Sequence, residues 1–117
     1  TILIPGGVCR YGEQSIIGPM AEENMSALHA DVGFISMSGI SLDGGMTDFG
    51  IDEITIKKKI MQNSSVNYVL ADSSKFDHTS LIRVCSLQEV KAIVTDSKLS
   101  PETEARFIKE KIAILHK

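Results

Sequence analysis

Val66-Asn67-Tyr68-Val69-Leu70-Ala71-Asp72-Ser73-Ser74-Lys75-Phe76 changes character halfway along. Its first half is an apolar run rich in β-branched and aromatic residues, which predicts a strand buried on both faces. Its second half is an acid, two hydroxyls and a base. In an open α/β sheet, ligands bind in the crevice beyond the carboxyl ends of the strands, so a polar cluster there is a candidate site. Asp and Ser are also ordinary turn and cap residues, so the stretch by itself reads equally well as a turn.

Upstream, Ile51 to about Asn63 predicts a helix with Ile54, Ile56, Ile60 and Met61 on a broad apolar face. Asp52 and Glu53 suit its first turn and the run Lys57-Lys58-Lys59 its later part, as the dipole favours. Lys57 follows Glu53 by one turn and can share its face. Before that helix, Gly39 to Gly50 is a long connection with four glycines and the polar members Asp43, Thr47 and Asp48. Loops of that length in compact domains are often functional. Asp31 to Ser38 predicts an interior strand ending at Ser38-Gly39. Gly18-Pro19 opens a helix running to Ala30-Asp31, with Met20, Ala21, Met25 and Leu28 on its core face. Thr1 to Pro5 predicts a short strand stopped by the turn Pro5-Gly6-Gly7. Gly6 and Gly7 would let backbone N–H groups approach an anion, with Arg10 adding a charge; a plain turn with a solvated arginine is the alternative.

Downstream, Leu81 to Cys85 predicts a short strand and Ser86 to Val90 a helical turn. Lys91 to Asp96 is a second β-branched run that stops at an acid. Ser100-Pro101-Glu102 is a helix start, with a Ser cap and Pro at the first position. Ala105, Phe107, Ile108 and Ile112 form that helix's core face, and Lys111 to Leu115 predicts an edge strand. Strands alternating with helices make the chain one α/β domain, residues 1–117, with a mostly parallel sheet and helices on both faces. Right-handed crossovers would bring Gly6-Gly7, Ser38-Gly39, Asp72–Lys75 and Thr95-Asp96 to one crevice.

The 117 residues carry a formal net charge of −3, with 43% hydrophobic and 23% charged residues, and a pI of about 5.5. That balance argues against this segment itself being a nucleic-acid-binding surface, which would normally carry a basic face. No apolar run approaches the ~20 residues that span a bilayer. The opening Thr1-Ile2-Leu3-Ile4-Pro5 reads as a chain entered in mid-fold. Cys9 and Cys85 are expected to be free buried thiols in a reducing cytoplasm. His29, His78 and His116 lack metal-ligand spacing, so no metal site is expected.

The crevice would gather acids (Asp43, Glu53, Asp72, Asp96), bases (Arg10, Lys57, Lys75) and hydroxyls (Thr47, Ser73, Ser74). Acids hydrogen-bond hydroxyl-rich ligands, while bases and backbone N–H groups hold phosphate, so a small phosphorylated polyol fits both halves. The same groups can move a proton beside a sugar carbonyl, which keeps an isomerase using Glu53 as base as the alternative. No phosphate-binding P-loop, nucleophile elbow, zinc-protease helix or dinucleotide fingerprint is present, and no cofactor is expected.

Several segments together resemble a known family. They are Pro5-Gly6-Gly7 with Arg10, Gly18-Pro19, Asp31-x-x-Phe34 followed by Ser38-Gly39-Ile40, and Gly45-Met46-Thr47-Asp48 with Glu53, Lys57 and Met61. Ala71-Asp72-Ser73-Ser74-Lys75-Phe76 and Ile93-Val94-Thr95-Asp96 complete the set. Over nearly its whole length the chain resembles the C-terminal effector domain of DeoR-family transcriptional repressors. The resemblance implies a fold similar to ribose-5-phosphate isomerase and CoA transferases. It further implies a non-catalytic sensor that binds a phosphorylated sugar and controls an upstream helix-turn-helix domain. A cytoplasmic homo-oligomer that meets DNA only through that other domain is implied as well. The effector site it implies comprises Asp72, Lys75, Glu53 and Lys57, with Asp43 and Thr47 on a covering loop; the reading of the residues themselves adds Gly6, Gly7 and Arg10 at the anion turn. The family usually has Gly where this chain has Asp77 and Ala where it has Ile54, and its first glycine-rich phosphate loop would lie upstream of Thr1.

Overall fold

The computed structural model describes residues 1–116. Val66 and its neighbours form an inner strand of the largest of three sheets. The elements run β1 (Val8–Arg10), β2 (Ser15–Ile17), α1 (Pro19–Ala27), β3 (Ala30–Ser36), β4 (Gly39–Ser41), β5 (Gly45–Asp48), α2 (Ile51–Gln62) and β6 (Ser64–Leu70). They continue with β7 (Ile82–Cys85), β8 (Ala92–Thr95), α3 (Pro101–Lys109) and β9 (Ile114–His116). Short 3-10 turns cover Ser73–Lys75 and Leu87–Glu89.

β3, β6, β8 and β9 form an all-parallel sheet in the order β3-β6-β8-β9. Its register aligns Ser36 with Leu70, Leu70 with Val94 and Thr95 with His116, so the carboxyl ends share one edge. The α/β architecture and the mostly parallel sheet are therefore as the periodicity predicts. Each crossover is a helix or a longer excursion, as parallel neighbours require. The excursions build a second, antiparallel sheet, β4-β5-β7, with β4 and β5 from the β3–β6 connection and β7 from the β6–β8 connection.

The core joins both sheets and the helices: Ile35, Val69 and Ile93 from the parallel sheet, Ile40, Met46 and Val84 from the antiparallel one, Ile54 from α2 and Phe107 from α3. Phe107 is fully buried and meets Phe76 edge to face, with ring centroids 5.2 Å apart. α2 lies close against β3 because Gly33 leaves room. A Cβ there would sit 2.4 Å from Asn67 Oδ1 and 3.2 Å from Ile60 Cγ2.

Several expectations are corrected. The opening strand is buried on one face only: Asn67 and Val69 point inward, while Leu70 is 44% exposed and Tyr68 stacks on the exposed Phe34 at 5.9 Å. Val66, Tyr68 and Leu70 alternate with the buried residues, and their side of the sheet is open at β3 and β6. Thr1–Pro5 has no regular structure, and Ile2, Leu3 and Ile4 are exposed. An apolar run becomes a strand only where a partner edge accepts its backbone, and none does so among the described residues.

Gly39–Gly50 is a hairpin, β4 and β5, whose second strand is wholly buried against β7 rather than a free covering loop. A second hairpin, β1 and β2, occupies Val8–Ile17, where the sequence pattern predicts no strand. The β7 strand belongs to the antiparallel sheet. On α1 only Ala21 is buried, with Met20 61% exposed. On α3 Phe107 alone is buried, Ala105 and Ile108 being exposed. Both cysteines are free, but Cys9 is exposed. Burial pushes the Cys85 thiol up to about 11.

Candidate functional site

A cavity of about 550 Å³ opens beyond the carboxyl end of β3. Three elements build its polar wall: the β1 hairpin brings Arg10, the end of β5 brings Asp48, and one face of α2 brings Glu53 and Lys57. Lys75, at the end of the 3-10 turn after β6, closes another side. Glu53 and Lys57 are one helical turn apart, which puts both on the same wall.

Two ion pairs organise this wall. Lys57 Nζ donates to Asp48 Oδ2 and, at 2.7 Å, to the carbonyl of Ser36. Asp48 Oδ1 accepts from Ser38 Oγ at 2.6 Å and from the Phe49 amide at 2.8 Å. Burial works to raise the Asp48 carboxyl, but Lys57, Ser38 and the Phe49 amide outweigh it and hold it below its ordinary range. The second pair joins hairpin to helix: Arg10 donates to Glu53 Oε1 at 2.5 Å and Ser15 Oγ to the same oxygen at 3.0 Å. Glu53 is likewise held low, with burial opposed by its own backbone amide, Ser15 and Arg10. Glu53 Oε2 makes no hydrogen bond of good geometry among the described residues. Lys75 forms no ion pair among the described residues.

Four of the expected site residues, Arg10, Glu53, Lys57 and Lys75, thus come together around one cavity. The other five lie outside its lining. Gly6 donates its amide to Asn24 Oδ1 at 2.8 Å and packs against Met20. Gly7 adopts φ 138°, and a Cβ there would stand 2.7 Å from the Ile17 carbonyl and crowd Ala21. The Gly-Gly turn therefore seats the β1 hairpin on α1, away from the sheet edge. Asp43 is exposed at the tip of the β4–β5 hairpin. Thr47 is buried, donating to the Gly39 carbonyl at 3.2 Å and accepting from the Ser80 amide at 2.8 Å.

Asp72 caps the 3-10 turn, accepting from the Ser74 amide at 2.9 Å and from Ser74 Oγ. Asp96 does a parallel job across the edge, accepting from the Ser73 amide at 3.0 Å and the Lys98 amide at 2.8 Å. The polar corner that ends β6 therefore satisfies itself, and only Lys75 reaches the cavity.

Asp48 and Ser36 lie outside the site predicted from sequence, and Ser38 is expected there only as a strand end facing the crevice. Asp48 was visible as a polar member of the 39–50 segment. Its inward aim follows from β5 being a strand whose register with β7 shifts between Met46 and Thr47, which ends simple alternation. Ser36 contributes a carbonyl, which no side-chain pattern announces. Among the described residues no group of three or more His, Cys, Asp or Glu could hold a metal ion. No helix among them is long and apolar enough to cross a membrane.

The geometry can be set beside known proteins. A family model described as the DeoR C terminal sensor domain matches residues 1–97. An uncharacterized HTH-type transcriptional regulator of Bacillus subtilis is 28% identical over 97% of this chain and 44% of its own length. An L-fucose operon activator of Haemophilus influenzae is 33% identical over 83% of this chain and 39% of its own length. A glycerol-3-phosphate regulon repressor of Escherichia coli is 31% identical over 82% and 38%. The chain thus spans less than half the length of these curated relatives.

Proposed function

We propose that this chain, which belongs to the family of DeoR C-terminal sensor domains, binds a phosphorylated sugar or related polyol phosphate in the cavity beyond β3. The observation that carries this reading is the charge arrangement of the wall. Two cation–carboxylate pairs present hydrogen-bonding groups suited to hydroxyls, and the ammonium of Lys75, which forms no ion pair among the described residues, stands beside them for the phosphate. Arg10, Glu53, Lys57 and Lys75 are the effector-contacting residues in this account. The names of two relatives refer to an L-fucose operon and a glycerol-3-phosphate regulon, one a sugar and the other a polyol phosphate, which supports a ligand of that kind.

The role is recognition without turnover. A general base works best with a pKa near the operating pH, but Glu53 is held below the ordinary carboxylate range. That ion pairing makes it a poor candidate for moving a proton from a sugar. In the whole protein, effector occupancy would regulate DNA binding by a helix-turn-helix domain, in the cytoplasm and within a homo-oligomer. The test is a thermal-shift screen of the chain against pentose, hexose and triose phosphates. A ligand at 100 times its dissociation constant stabilises the native state by ~2.7 kcal/mol. A flat response to every sugar phosphate, with no ligand raising the unfolding temperature, would overturn the reading.

A further inference from the structure

Lys57 and Asp48 face one cavity, yet they do different work in it. Asp48 is 6% exposed. Its two oxygens are occupied by three protein donors: Ser38 just after β3, Phe49 just after β5, and Lys57 on α2. A carboxylate so employed acts through its partners rather than by touching a ligand. Lys57 in turn has three N–H donors. Two are directed at Asp48 and the Ser36 carbonyl, so one remains for the cavity. An ammonium in contact with a carboxylate exerts little net field on a third group, whereas its free N–H still donates a hydrogen bond.

We propose that Asp48 is a positioning residue of this pocket: it fixes the Lys57 ammonium and cancels its charge, so that Lys57 reads a ligand hydroxyl and Lys75 alone takes the anion. The inference rests on the cavity being the effector pocket. It makes Asp48 the determinant that favours a phosphate attached to a polyol over phosphate alone. Removing the carboxylate returns a full positive charge to the wall, which draws an anion onto Lys57 and displaces the hydroxyl.

The experiment uses the chain and its Asp48→Asn and Ser38→Ala variants, with folding checked by circular dichroism. Isothermal titration with inorganic phosphate and with glycerol 3-phosphate reads selectivity, and nitrogen-15 NMR of the Lys57 ammonium reads its positioning. In Asp48→Asn, the preference for glycerol 3-phosphate over inorganic phosphate is expected to fall by about tenfold or more, the scale of one altered charge contact. The slowly exchanging Lys57 ammonium signal is expected to vanish. Affinities that fall in parallel, leaving the preference unchanged, would mean a merely structural role and overturn the proposal. If the wild type binds neither probe and the thermal-shift screen is flat as well, the pocket reading fails; in either case a Lys57 signal that persists in Asp48→Asn overturns the positioning claim by itself. Should Asp48→Asn not fold, Ser38→Ala keeps the charge but loosens the clamp. It is expected to speed ammonium exchange, and an unchanged rate contradicts the proposal.

Discussion

Two acid-bearing corners sit at the same edge of the parallel sheet and use their carboxylates in opposite ways. At the ends of β6 and β8, Asp72 and Asp96 are held below the ordinary carboxylate range by near neighbours: Ser74 hydroxyl and amide for Asp72, the Ser73 and Lys98 amides for Asp96. At the end of β5, Asp48 is buried and reaches across to the Lys57 ammonium and the Ser38 hydroxyl. The first corner shapes a turn and the second builds a wall. Identical residue types therefore carry a site or a cap according to where their partners come from in the chain. Depressed pKa values alone do not tell the two apart.

Breaking the wall should cost most. Asp48→Ala leaves the Lys57 ammonium unpaired in a largely buried place, and is expected to lower stability by about 3–5 kcal/mol in urea unfolding. The pH dependence carries the same signature. Asp48 and Glu53 are held below their ordinary values of 3.8 and 4.5. Their stabilisation is thus complete above those values and drains away as pH falls through the lower folded ones. In Asp48→Asn, the acid limb of a stability-versus-pH curve should be shallower than in the wild type; an identical limb would show that the pair contributes nothing.

Thr47→Val comes next, because it leaves the Ser80 amide and the Gly39 carbonyl without a buried partner. The expected loss is about 1–3 kcal/mol in urea unfolding, with ligand affinity unchanged if Thr47 lies off the pocket. Asp72→Ala removes a cap on an exposed turn, and its loss should be smaller than either. The smallest effect belongs to Asp77→Gly. Asp77 adopts φ 59°, a left-handed conformation that glycine takes more easily, while its carboxylate pairs with the exposed Arg106. Relief and loss oppose each other, and the unfolding midpoint should stay within error of the wild type.

Much of this was legible in the chain. The β-branched runs at 66–71 and 91–96 are parallel strands, and Ser100 caps α3 by accepting from the Thr103 amide at 3.2 Å. The Glu53–Lys57 spacing places both side chains on one wall because helix geometry is local. What escaped was non-local. The Gly-rich stretch at 39–50 reads as a loop, and 8–17 carries no strand signal, because short antiparallel strands of three or four residues carry little period. Thr1–Pro5 carried the right pattern without an edge to pair with. The Asp72 corner attracted attention through its polarity, yet its donors lie two residues away or just across the edge, so it closes on itself. Asp48 drew less because its partner Lys57 lies nine residues on, across a turn between two elements.

The contrast between the corners is tested most directly by isothermal titration of one sugar phosphate, chosen from the thermal-shift screen, into the wild type, Lys75→Ala and Asp72→Asn. If the cavity is the effector pocket, Lys75→Ala loses at least about tenfold in affinity while Asp72→Asn binds as the wild type does. Unchanged binding in Lys75→Ala, or an equal loss in Asp72→Asn, would contradict it.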